Sequence, residues 1–177
     1  MEDNQIDWEL QNNWAICKLN DICNVVMGQS PEGTAVSEDK AGMEFHQGKL
    51  CFGEKLLNHS NYYTSQITKK AQPDSILLCV RAPVGVVNIT DREICIGRGL
   101  CAVKPKYEIS PDFWFYWIKS MQSDFEQKAT GTTFKAISAD TVKNQIVSIP
   151  PLQEQFRIVS KINELYKQLD EIVLNLI

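Results

Sequence analysis

The stretch Ile149–Ile162, IPPLQEQFRIVSKI, sets a double proline directly against the start of a helical pattern. Pro150 has no N–H to give a strand ladder, so the apolar run IVSI before it ends there. Pro151 suits the first turn of a helix, where a missing N–H costs nothing. Beyond it Ile158, Ile162, Leu165, Leu169, Ile172 and Leu176 recur at alternating steps of four and three. That is an a/d seam, and it predicts a helix from about Leu152 to Ile177, about 39 Å long at 1.5 Å per residue. Such a helix either folds back on its own domain or pairs with another helix. The narrow 3.5-residue spacing favours a helical partner, because a helix packed on a globular core presents a wider stripe.

Upstream of the prolines the period changes repeatedly. SADTVKNQ reads as a brief helix, and TGTTFKAIS breaks a longer one that opens at Ser110-Pro111-Asp112, with Ser110 as N-cap. In that helix Phe113, Trp117, Met121 and Phe125 fall at steps of four, with Trp114 and Ile118 beside them, so one face is strongly apolar. Before it lie short apolar runs punctuated by turns. SILLCV is a buried strand, RAPVG a turn, VVNIT the returning strand, and REICIGRGLCAVKP one or two more, with Gly97 and Gly99 at bends. The expected fold is α+β: an irregular mixed sheet with helices beside it, followed by a long C-terminal coiled-coil helix. The expected division is an acidic extension and lead-in over 1–17, a globular domain over 18–149 and the helix over 150–177.

At 177 residues, with 44% hydrophobic and 23% charged residues, the chain has room for one domain with a core plus an appendage. The acidic, polar opening MEDNQIDWELQNNW lacks an apolar signal core, and no run of about 18 apolar residues occurs, so a cytoplasmic protein with no membrane span is expected. Six cysteines without a CxxC pair, and two histidines, His46 and His59, predict reduced packing thiols and no metal site. The net charge of −4 is uneven. Residues 1–17 hold four acids and no Lys or Arg, residues 18–148 hold 15 bases against 14 acids, and residues 149–177 hold 3 against 4. Any nucleic-acid surface must therefore be a local patch within the middle segment.

There is no Walker loop, no GxGxxG after a strand, no HExxH and no GxSxG. The loops hold donors instead. Gln29 pairs bidentately with adenine edges and Arg81 and Arg98 with guanine, while Ser30, Thr132, Thr133 and Lys135 suit phosphates. With Lys49 they form the candidate DNA-binding set. Each has a plainer role: Gln29 and Ser30 as turn formers, the arginines as ion-pair partners of nearby acids, TGTT as a helix terminator.

Several segments taken in order resemble one half of the specificity subunit of type I restriction-modification systems. They are KLNDICNVVMGQSP (18–31), DSILLCVRAPVG (74–85), ICIGRGLCAVKP (94–105), GTTFKAIS (131–138) and, most specific, IPPLQEQFRIVSKINEL (149–165). The resemblance implies a target recognition domain that reads double-stranded DNA, followed by a conserved spacer helix. That helix would pair antiparallel with a counterpart and dock methyltransferase subunits. Methylation and cleavage would belong to the methyltransferase and restriction subunits, leaving this chain non-catalytic and without a cofactor. The family's usual subunit carries two recognition domains, each with its helix. One of each here implies a natural half-subunit or a fragment, working as a homodimer through Ile158, Ile162, Leu165, Leu169, Ile172 and Leu176. The alternative is a protein-interaction or dimerisation module with a coiled-coil tail and no sequence-specific DNA recognition of its own.

Overall fold

The run from Ser75 to Cys79 is buried at every position, as a continuous apolar strand is when both its faces are covered. The computed structural model, which describes residues 13–132 and 135–175, shows what covers it. Thr133, Leu176 and the acidic residues 1–12 lie outside the described residues. In chain order the elements are β1 (Ala15–Lys18), α1 (Leu19–Ile22), β2 (Cys23–Met27), β3 (Val36–Ser37), β4 (Met43–His46), β5 (Tyr63–Thr64), β6 (Lys70–Ala71), β7 (Ser75–Cys79) and β8 (Val87–Thr90). β9 (Ile94–Ile96), β10 (Leu100–Pro105), α2 (Pro111–Ser120), α3 (Gln122–Lys128), α4 (Ala139–Lys143), β11 (Ile146–Ile149) and α5 (Leu152–Leu174) complete them. The fold is α+β, as expected.

The middle layer is a four-stranded antiparallel sheet of order β2-β10-β7-β8. Alternate residues of one strand point to opposite faces. Ile76 and Leu78 of β7, with Cys101 and Val103 of β10, meet Phe113, Trp114, Phe115, Ile118 and Phe125 from the helices. Leu77 and Cys79, with Leu100 and Ala102, meet Ile94, Ile96 and Ala71 of a second sheet. That second sheet has order β3-β5-β4-β9-β6 and is mixed, because β4 and β9 run parallel while the other pairs are antiparallel. β1 and β11 form a separate antiparallel ribbon that pairs residues 15–18 with residues 146–149. The expected boundary at residue 18 thus falls at the end of a strand that is itself part of the fold.

Two expected elements differ in detail. The apolar helix is two helices, because at Met121 the N–H bonds back to Ile118 and the Ser120 hydroxyl takes the Trp117 carbonyl at 2.7 Å, tightening the last turn. Gly85, in the turn between β7 and β8, sits against the Gln122 backbone at this break, where a Cβ would come within 2.9 Å. At the C-terminal junction Pro151 is the N-cap of α5 rather than its first helical residue. Its carbonyl accepts from the N–H groups of Glu154 and Gln155 at 2.9 and 3.1 Å, and its φ and ψ of −53° and 151° are not helical.

Gln155 closes this junction. Its side chain is buried, accepts from the Ser110 N–H at 3.0 Å and donates to the Pro150 carbonyl at 3.0 Å. One amide thereby satisfies the start of α2 and the end of β11 at once. Val159 is buried behind it, and Tyr116 on α2 reaches Asn163 at 3.0 Å and stacks near Tyr166. The first half of α5 therefore folds back on α2, and the second half runs on alone.

Candidate nucleic-acid interface

The glycines in GQS and GRG bring three backbones into contact. The N–H groups of Gly28 and Gln29 donate to the carbonyls of Leu100 and Ile96 at 2.9 and 3.0 Å, and the Gly97 N–H donates to the His46 carbonyl at 2.7 Å. A Cβ on Gly28 would overlap the Gly97 carbonyl oxygen, and one on Gly99 would overlap that of Gln47. These glycines serve chain-to-chain approach within the domain. Their effect is to mount the loop after β2, the loop after β4 and the β9–β10 connection on one end of the fold.

Lys49, Arg81 and Arg98 emerge there and line one cleft of about 200 Å³ with Gln47, Pro83 and Cys79. All three cations are exposed. None makes an ion pair with a described carboxylate. Burial pushes the Cys79 thiol up to about 11, with the Lys49 ammonium pulling the other way. The thiol at the cleft floor is thus protonated and inert.

The remaining candidates surround this cleft. Ser30 Oγ accepts from the Arg98 backbone N–H at 3.2 Å, which places exposed Gln29 beside it. On the other side Ala82 donates its N–H to the Lys135 carbonyl at 3.1 Å, and Arg81 bridges Ala136. Thr130 and Ala136 exchange both backbone bonds at 2.9 Å. Next to this pair Gly131 takes a φ of +108°, open to glycine, and Thr132 and Lys135 are exposed. Seven of the eight candidates are thus gathered at one end of the domain, and Thr133 lies outside the described residues. Sequence reasoning missed Gln47 and Pro83 as cleft walls, since nothing in HQGK or RAPVG alone signals which loops will meet.

β4 itself is held by a buried carboxylate. Glu44 accepts from Arg92 at 2.7 Å on each oxygen, from His46 Nε2 at 2.8 Å and from the Ser60 N–H at 2.7 Å, while exposed His59 stands at 3.2 Å. Burial raises the Glu44 pKa, but the Arg92 guanidinium and the other donors outweigh it and hold the carboxyl well below the usual range. Burial likewise lowers the His46 pKa, against the pull of Glu44. His46 therefore belongs to the buried cluster and His59 stands exposed at its edge, while Arg92 also ties the Leu57 and Asn58 carbonyls at 3.1 Å each.

The seam of α5 divides. Ile158 packs against the core, Ile162 is half-buried, and Leu165, Leu169 and Ile172 are exposed, while Leu176 lies outside the described residues. Tyr116, Lys119, Ile162, Leu165, Tyr166 and Leu169 line an apolar groove of about 450 Å³ between α2 and α5.

Residues 11–177 match the family described as Type I restriction modification DNA specificity domain. A putative type I restriction enzyme MjaX specificity subunit of Methanocaldococcus jannaschii is 32% identical over 168 residues, covering 93% of this chain and 38% of that protein. The type I restriction enzyme EcoBI specificity subunit of Escherichia coli is 28% identical over 130 residues, 68% of this chain and 27% of that one. The crystal structure of the HsdS subunit from Thermoanaerobacter tengcongensis superposes with a TM-score of 0.84 at 29% identity, over 97% of this chain and 42% of that one. The chain spans about two fifths of that structure's length, and less of the bacterial relative. A match running through both the globular part and the helix, together with the superposition, makes this chain a member of the type I restriction modification DNA specificity domain family.

Proposed function

We propose that the chain is the sequence-reading, non-catalytic part of a type I restriction-modification complex, directing methyltransferase and restriction subunits to a double-stranded DNA site. The observation that carries this reading is the convergence of Lys49, Arg81 and Arg98 on one cleft with no described carboxylate to neutralise them, flanked by Gln29, Ser30, Thr132 and Lys135. Phosphate contacts from such cations supply register and affinity, while Gln and Arg forks reaching base edges supply discrimination. Residues 18–149 form the recognition domain, with residues 1–17 as lead-in and residues 150–177 as spacer helix. The chemistry of methylation and cleavage lies in the other subunits, so this chain needs no cofactor, and its work is cytoplasmic. No helix among the described residues is long and apolar enough to cross a membrane.

The exposed part of the α5 seam serves as a coiled-coil surface. Two copies pair antiparallel through Leu165, Leu169, Ile172 and Leu176, with Ile158 and Ile162 marking where the seam leaves its own domain. A two-fold arrangement presents two recognition domains to a palindromic, divided site.

The test is selection from a random-sequence duplex library at fixed salt, by the chain alone and with its methyltransferase subunit. Enrichment of a divided sequence is expected. No enrichment in the assembled complex refutes sequence reading, since phosphate contacts alone leave non-specific affinity of about 10⁻⁴ to 10⁻⁶ M.

A further inference from the structure

We propose that a phosphate-binding pocket lies at the opposite end of the four-stranded sheet from the cation cleft. β7 leaves the sheet at Cys79, which lines the cleft, and enters it at Ser75, which lines a second pocket of about 520 Å³. The two ends are about 13 Å apart at about 3.3 Å per residue. The inference does not depend on the reading of the cleft.

Lys70, Lys104, Lys106 and Lys143 line this second pocket, and no carboxylate does. In a chain of net charge −4 that grouping is a local feature. Lys70 is paired with Glu93 at 3.1 Å, and Asp74 stands 3.8 Å from Lys104 at the rim. The others are bound in a way that leaves their charge in place. Lys104 donates to the Pro73 carbonyl and Lys106 to the Asn20 carbonyl, the latter at 2.7 Å. A carbonyl satisfies an N–H of an ammonium but does not neutralise it; Lys104 has two more to give, and Lys106, which also reaches the Asp21 carbonyl at 3.5 Å, has one. Lys143 makes no ion pair among the described residues.

The second observation is Ser75. It is 1% exposed, its Oγ has no hydrogen-bond partner among the described residues, and it lines this same pocket. A buried hydroxyl without a partner is costly and calls for an acceptor or donor beside it. An oxyanion supplies both the acceptor for the hydroxyl and the charge for the lysines. Donors arriving from β6, β7, β10 and α4 suit a tetrahedral phosphate, whose oxygens point several ways, better than a carboxylate, whose two oxygens share one plane. The phosphate belongs either to a free phosphorylated small molecule or to a DNA backbone passing this end of the sheet.

The test is a titration of the full chain with inorganic phosphate, followed by amide NMR at constant ionic strength so that general screening cancels. Saturable shifts at Ser75, Lys104 and Lys143 are expected. Lys143→Gln, which removes an ammonium with no hydrogen bond or ion pair among the described residues, weakens phosphate binding about tenfold, the loss of one charge-assisted bond. Ser75→Ala weakens it several-fold while the spectrum keeps its dispersion. Shifts that never saturate, that chloride reproduces, or that keep their midpoint in both variants overturn the proposal. Displacement of phosphate by adenosine monophosphate alone assigns the pocket to a small molecule, and displacement by a short duplex without a target site assigns it to DNA; displacement by neither refutes it.

Discussion

Replacing Gln155 by methionine tests whether the IPPLQEQ junction is held by hydrogen bonding or by bulk. The side chain is 2% exposed, and methionine keeps its length and most of its volume while removing both polar atoms. Two backbone groups lose their partners: the Ser110 N–H and the Pro150 carbonyl, each now bonded at 3.0 Å and each in a buried residue. An orphaned buried donor or acceptor costs about 1–3 kcal/mol. Removing the amide's own desolvation returns part of that, so the net loss is about 2–4 kcal/mol. Urea unfolding of the chain should show the midpoint falling by that free energy divided by an unchanged slope, because the surface exposed on unfolding is the same. Asparagine, one methylene short, should fail to reach both groups and lose nearly as much. A loss under about 0.5 kcal/mol for methionine, the size of an ordinary surface change, would refute the view that this amide ties α5 to the domain.

The Glu44 cluster predicts acid sensitivity: the carboxyl is held below its ordinary 4.5, so its contribution is full above that pH and is lost as pH falls below it. His46, lowered from 6.5, adds loss beginning as pH falls below that value, because the unfolded chain takes the proton first. Glu44→Gln should flatten the stability–pH profile measured by denaturant unfolding, and should cost about 3 kcal/mol at neutral pH by leaving Arg92 half-paired. Gly28→Ala should destabilise by about 2–3 kcal/mol in the same assay, since its Cβ meets carbonyl backbone that has no room to yield. Arg81→Ala and Arg98→Ala should each reduce DNA affinity; where the side chain contacts phosphate, the slope of log affinity against log salt falls by about 1, and where it reads a base, selectivity at one position relaxes instead. Leu165→Asp, at a half-exposed site, should leave monomer stability within about 0.5 kcal/mol yet shift sedimentation from dimer to monomer.

The sequence by itself determined the elements whose signal is local. Ser110-Pro111 capped a helix, with Oγ accepting from Phe113 at 3.3 Å, and Ser138 capped another on Thr141 at 3.1 Å, because a cap needs only its own next three residues. SILLC read as a buried strand from its unbroken apolar run, and the double proline marked the turn into α5. The family was legible for the same reason, since its marks are short stretches in fixed order. Tertiary structure alone decided the rest. Nothing local says that Gly28, Gly97 and Gly99 seat one backbone against another, that Lys49, Arg81 and Arg98 share a cleft, or that Arg92 spends its charge on Glu44, 48 residues away. Nor does a heptad record where its seam changes partner. Ile158 and Leu165 carry the same pattern, but the first packs against the core while the second stays half exposed beside α2, and burial depends on what stands opposite a side chain in space.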